Sequence, residues 1–159
     1  MEFIIQGRPE IEELSQKPFK EKTALISITD HGWTFAKLEN KPEYLLQITF
    51  DDVDSYVFED ELGREPNAQE RAKIEEKYHM FTDKHATEIA NFYNQIRDEV
   101  DTIICQCEFG MSRSAAVAAA IKEYRDKRGI EIFASDDYCP NKMIFRMLLS
   151  KLKMRDSIK

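Results

Sequence analysis

No stretch of this sequence comes near the roughly 20 consecutive apolar residues that a membrane-spanning helix needs. Its first residues, Met1-Glu-Phe-Ile-Ile-Gln-Gly-Arg8, carry an acid where an export signal carries positive charge, and their apolar run is short. A soluble protein is expected. Cysteine is scarce and odd in number, with only Cys105, Cys107 and Cys139, which argues against a disulfide framework and for a reducing, cytoplasmic setting. Positive charge is short as well: 23 Lys and Arg stand against 30 Asp and Glu, a formal net charge of -7. That balance speaks against binding to nucleic acid or an anionic membrane, both of which demand positive surface. A small phosphorylated ligand stays open, because one arginine and a ring of backbone amides can hold it inside an acidic protein. The few histidines, His31, His79 and His85, lack metal-ligand spacing with the cysteines. The run Asp51-Asp52-Val53-Asp54 lacks the glycine and glutamate of a calcium loop. No metal and no cofactor is therefore expected.

What is present points to one domain over residues 1–159, a length that buries a sizeable core. Residues 24–29, 44–50 and 102–107 are short, apolar and β-rich, and the first two are bounded by turn residues such as Asp30, Gly32, Asn40 and Pro42. Each reads as a strand. Helical patterns follow the second strand: one opened by Pro66-Asn67, with Glu70 placed for a capping box, and one near 82–100 with a stripe of Ala86, Ile89, Ala90, Phe92, Tyr93 and Ile96. The alanine-rich run from Ser114 predicts a helix stopped at Gly129, and a last helix runs from about Pro140 to Lys151, Lys153 and Arg155. The acidic segment 51–61 reads as a solvated loop or flap. Strands alternating with helices predict an α/β fold with a central, mostly parallel sheet flanked by helices and a ligand loop at a strand's carboxyl end.

That loop is Cys107-Glu108-Phe109-Gly110-Met111-Ser112-Arg113-Ser114. The amides of residues 108 to 113, curled around Gly110, can form a concave nest for phosphate oxygens, with the positive end of the following helix beneath. Arg113 offers a planar, two-point grip that lysine does not reproduce. The groups that favour phosphate also favour a thiolate at Cys107, the expected nucleophile. Ser114 is placed to hydrogen-bond the sulfur when it leaves, and Ser112 is expected to bond within the loop. The competing reading, a strand-to-helix turn with a structural cysteine, leaves Arg113 and Ser114 unexplained. Cys105 points to the same strand face as Cys107 and reads as a core residue, since a disulfide at that spacing is strained.

The segment resembles the Cys-(five residues)-Arg signature of the cysteine-dependent protein tyrosine phosphatases, in the Gly110-x-Ser112-Arg113-Ser114 form of the dual-specificity branch. Its late position, followed by two helices, agrees with that branch. The resemblance implies a phosphatase-like fold and hydrolysis of phosphate monoesters through a cysteinyl-phosphate intermediate. Phosphorylated protein or a small phosphate monoester is then the implied substrate, and phosphate, sulfate or vanadate the implied site ligand. It also implies an aspartic acid after the preceding strand as proton donor; Asp52 is preferred, then Asp51 and Asp54, with Asp83 a distant fourth. Gln106 stands where the family carries histidine, and slower turnover is the expected consequence. Glu108 must point away from bound phosphate. The segment 54–80 is longer than a compact member needs and is read as an insertion. Trp33 and Tyr56 are candidate borders of the mouth. The alternatives are a phosphate-binding pseudophosphatase and, less in keeping with Ser114, a rhodanese-like sulfur carrier.

Overall fold

The apolar runs near 24–29, 44–50 and 102–107 pair as strands in the computed structural model, which describes residues 1–156. The last three residues of the basic run that closes at Lys159 lie outside the described residues. The elements, in chain order, are β1 (Glu2–Gln6), α1 (Arg8–Leu14), β2 (Thr23–Thr29), β3 (Tyr44–Thr49), α2 (Tyr56–Leu62), α3 (Ala68–Lys77), α4 (Asp83–Ile96), β4 (Thr102–Gln106), α5 (Arg113–Asp126), α6 (Ile130–Ala134) and α7 (Lys142–Asp156). The strands form one parallel sheet in the order β1-β4-β2-β3, with Ile103 level with both Phe3 and Ala24.

Both faces of the sheet are covered, which is why its central strands carry unbroken apolar runs. Along β2, Ala24, Ile26 and Ile28 face the larger core, with α4, α5 and α7, whereas Leu25 joins Ile104, Ala36 and Ile11 of α1 on the other side. Each Ile or Leu among them, withdrawn from water, contributes about 1.5–3 kcal/mol. Ala115, Ala116, Ala118, Ala119 and Ala120 are fully buried in α5, and their small size lets the helix lie close against β1, β4 and α7.

Three local expectations need correction. The acidic segment 51–61 is not all loop: α2 begins at Tyr56, because Val57 and Phe58 bury themselves in the core. Helix α4 ends at Ile96, short of Val100. Helix α5 ends at Asp126 with Lys127 in the left-handed conformation, φ 59°, so Gly129 is not its stop. Gly129 is needed for close approach instead, since a Cβ there would lie 2.6 Å from the Ala119 carbonyl oxygen. The capping box is present as expected: Asn67 accepts from the Glu70 N–H at 2.9 Å, and Glu70 accepts from the Asn67 N–H at 3.0 Å.

Candidate active site

Strand β4 delivers Cys107 to the carboxyl end of the sheet, and the loop from Glu108 to Ser112 turns back into α5. Four of the loop's carbonyls are tied to the scaffold. Glu108 O accepts from Arg8 N at 3.0 Å, Met111 O from Cys139 N at 2.9 Å, and Ser112 O from Ala116 N at 2.9 Å and Asn141 N at 3.3 Å. Cys107 O accepts from Gln106 Nε2 at 3.0 Å. The N–H groups of residues 108 to 113, in contrast, donate to nothing among the described residues. With carbonyls anchored outward and amides left over, the loop has the polarity of an anion nest, and the unsatisfied first turn of α5 adds to it. Gly110 makes the bend at φ 69°. A Cβ there would sit 2.5 Å from the Gly7 nitrogen and 2.6 Å from the Gln6 carbonyl carbon, so the loop rests directly on the end of β1.

Side chains complete the bowl. Cys107 is 2% exposed, and its Sγ lies 3.1 Å from Ser114 Oγ. Arg113 is 4% exposed; its Nη1 donates to Asp30 Oδ1 at 2.6 Å and to the Phe50 carbonyl at 2.8 Å. This leaves Nε and Nη2 as a fork for two oxygens of an oxyanion. Glu108 points away, as required, because Arg8 Nε holds its Oε2 at 2.8 Å while Arg8 Nη2 donates to Thr29 Oγ1 and the Thr34 carbonyl. Gln106, fully buried, bridges Ser27 Oγ, which donates to its Oε1 at 2.5 Å, and the Cys107 carbonyl. The amide thus orients the backbone of Cys107 without carrying a charge.

Among the aspartates, Asp52 enters the Cys107 cleft, a space of about 310 Å³ lined also by Phe109, Met111, Ser112, Arg113 and Cys139. Its Oδ1 accepts from Ser112 Oγ at 2.9 Å and from Asn141 Nδ2 at 3.0 Å. Ser112 therefore bonds across to another loop, not within its own as the sequence suggests. Asp51 accepts from the His31 N–H at 2.8 Å, Asp54 accepts from the Ser55 N–H at 2.6 Å, and Asp83 pairs with Lys151 at 2.7 Å. Trp33 and Tyr56 are exposed and do not line the cleft.

Several partners escape the sequence. Asp30 carries a faint signal, an acid at the end of a neighbouring strand, and Asn141 another, a capping amide after Pro140 that accepts from Ile144 N at 3.1 Å. Arg8 and Ser27 carry none. Cys105 lies buried in β4, where burial, with Cys107 adding to it, pushes its thiol far above the usual range; it is a core residue without nucleophilic character. Among the described residues, no group of three or more His, Cys, Asp or Glu is arranged to hold a metal ion, and no helix is long and apolar enough to cross a membrane.

The fold is that of the cysteine phosphatases, in the form found in the dual-specificity branch. In particular, the chain is similar to PTPMT1 with a TM-score of 0.55 and 12% identity, over 99% of this chain and 96% of that one. A mouse protein described as a dual specificity phosphatase and complexed with zinc tungstate gives 0.54 and 14%, over 98% and 85%. Human DUSP28 gives 0.52 and 12%, over 99% and 95%. No protein-family model and no curated relative matches the sequence.

Proposed function

We propose that this protein hydrolyses phosphate monoesters through a cysteinyl-phosphate intermediate, as a phosphatase of the protein tyrosine or dual-specificity type. The observation that carries this reading is the polarity of the loop: carbonyls of residues 107, 108, 111 and 112 are tied to the scaffold, the amides of 108 to 113 are left without partners, and Cys107 and Arg113 line one cleft. In the first step the Cys107 thiolate forms an S–P bond as the P–O bond to the alcohol or phenol breaks, and Asp52 passes its proton to the leaving oxygen. Ser112 and Asn141 hold Asp52 Oδ1, which leaves the other oxygen for that task. In the second step Asp52 takes a proton from water, water's oxygen bonds to phosphorus, and the S–P electron pair returns to Cys107 beside the Ser114 hydroxyl. Arg113 and the amides bind the equatorial oxygens throughout, and the transition-state charge is where they contribute most.

Gln106, standing where the family carries histidine, gives the Cys107 carbonyl a donor that holds the loop backbone in place. The tungstate carried by the mouse structure, a tetrahedral oxyanion, suits the same bowl. The cysteines, all free thiols, suit a reducing compartment. The test is hydrolysis of para-nitrophenyl phosphate across pH 5 to 8 by wild type and Cys107→Ser, with vanadate inhibition. Turnover that needs Cys107 and is blocked by vanadate is expected. A folded protein that binds vanadate and turns nothing over would make it a phosphate-binding module.

A further inference from the structure

Helix α6 and the first turns of α7 enclose a groove of about 470 Å³ that shares no lining residue with the Cys107 cleft. Its walls are apolar: Ile130 and Phe133 stand one turn apart on α6, and Phe145 and Leu149 one turn apart on α7. Phe133 and Phe145 meet edge to face at 4.8 Å between ring centroids, which ties the two walls together. Phe133, Phe145 and Leu149 pack on the larger core and are partly buried, whereas Ile130 belongs to neither core cluster and is 68% exposed. The polar part of the lining is mainly cationic. Lys142 and Arg146, exposed and one turn apart on α7, take part in no ion pair among the described residues. The one carboxylate in the lining, Glu123, already accepts from the Gly129 N–H at 2.9 Å. Glu131 of α6 is paired with Lys122 and Arg128, and Asp136 and Asp137, in the link between the helices, do not line the groove. Two uncommitted cations thus border an apolar groove in a chain whose net charge is -7.

We propose that this groove docks a short, acidic amphipathic helix of a partner protein. Apolar side chains one turn apart on that helix seat among Ile130, Phe133, Phe145 and Leu149, and Asp or Glu beside them meets Lys142 and Arg146. From residue 142 to residue 149 the α7 wall is about 10 Å long at 1.5 Å per residue, which matches two turns of such a helix. A membrane surface is disfavoured, because the overall negative charge of the chain opposes anionic lipid. A second copy of the chain is disfavoured too: a stable dimer buries about 800 Å² per partner, far more than a groove two turns long provides. Lys142 follows Asn141, so the partner is held next to the Cys107 cleft while the cleft itself stays open.

The test selects a library of random peptides, roughly three helical turns long, on the full chain. Enriched peptides are resynthesised with a fluorophore and titrated by anisotropy, at low and high salt, against wild type, Ile130→Ser and Arg146→Glu. They are expected to carry two apolar residues spaced three or four apart with Asp or Glu adjoining. Ile130→Ser is expected to weaken binding about tenfold at either salt concentration, and Arg146→Glu about tenfold at low salt but only about two- to threefold at high salt. Exchanging the acids of a peptide for Lys is expected to reverse the ranking, so that Arg146→Glu then binds it better than wild type does. Both substituted side chains are exposed, and thermal melts are expected to show unchanged midpoints. Because the readout is binding, the result stands whether or not the protein hydrolyses para-nitrophenyl phosphate. Enriched peptides that are basic, or that neither variant weakens, overturn the proposal, as does the absence of any enrichment. A dimer in sedimentation that Ile130→Ser disperses would give the groove to a second copy instead, and co-sedimentation with phosphatidylserine vesicles that Arg146→Glu abolishes would give it to a membrane; either result also overturns it.

Discussion

Two loops meet at the candidate site, and they are held in opposite ways. The phosphate loop, 107 to 113, is fixed through its backbone: its carbonyls are bonded to Arg8, Cys139, Ala116 and Asn141, and Gly110 is wedged on the end of β1. The acid-bearing loop after β3 hangs instead from three remote points. His31 N–H binds the Asp51 carboxylate, the Asp51 N–H donates to the His79 carbonyl at 2.8 Å, and Asn141 Nδ2 binds both Asp52 Oδ1 and the Val53 carbonyl. The two loops share the Ser112–Asp52 bond and Asn141, whose N–H holds the Ser112 carbonyl, but each also has supports of its own, so changes away from that junction are expected to leave the other loop working.

The sharpest separation comes from Cys107→Ser, which is expected to cost at least about 10³-fold in turnover while vanadate still binds, read by inhibitor titration and single-turnover assays. Gly110→Ala attacks the other property. Its left-handed backbone and the contacts of a new Cβ with Gly7 and Gln6 are expected to destabilise the fold by about 1–3 kcal/mol and to abolish vanadate binding, measured by urea unfolding and titration. Asp52→Asn is expected to lower kcat by about 10²-fold, with vanadate affinity unchanged. Loss of vanadate binding in that variant would break the separation.

Smaller effects sharpen the comparison. Asn141→Ala removes the α7 cap and one donor to Asp52, so about 1 kcal/mol of stability and a few-fold in kcat are expected to go together. At His85, burial depresses the imidazole's proton affinity, and the ring accepts the Thr82 N–H at 2.9 Å through Nδ1, a bond the charged form forfeits. Because the folded pKa lies below the unfolded value, the contribution of this residue is full above about pH 6.5 and is lost as pH falls through the folded value. Thermal melts between pH 5 and 7.5 are expected to show this slope in wild type and not in His85→Gln.

The same contrast explains what could be read from residues alone. Cys107 to Ser114 is one contiguous segment whose chemistry is local, so its members were all visible. Asp52 is preferred over Asp51 and Asp54 only by its count from the strand, because Ser112 and Asn141, which hold it in the cleft, lie 60 and 89 residues away. The partner of Ser112, Asp52, is hidden for the same reason. Strand β1 is short and half-buried, with no turn residues before it, and α2 was masked by its acids although Val57 and Phe58 gave the apolar face. The long amphipathic α4 and the alanine-rich α5 were plain.

The seating of Gly110 on Gln6 and Gly7 also bears on when the bowl comes into being as the protein folds. Strand β1 pairs with β4, and Arg8 meets Glu108 across 100 residues of chain. Contacts that distant add loop-closure entropy and are expected to form late. A nascent chain that ends before β4 can already hold β2 against β3, yet it contains nothing that grips an oxyanion. Vanadate binding would accordingly serve as a clock for the last event of folding, appearing after helical signal and core burial have both developed.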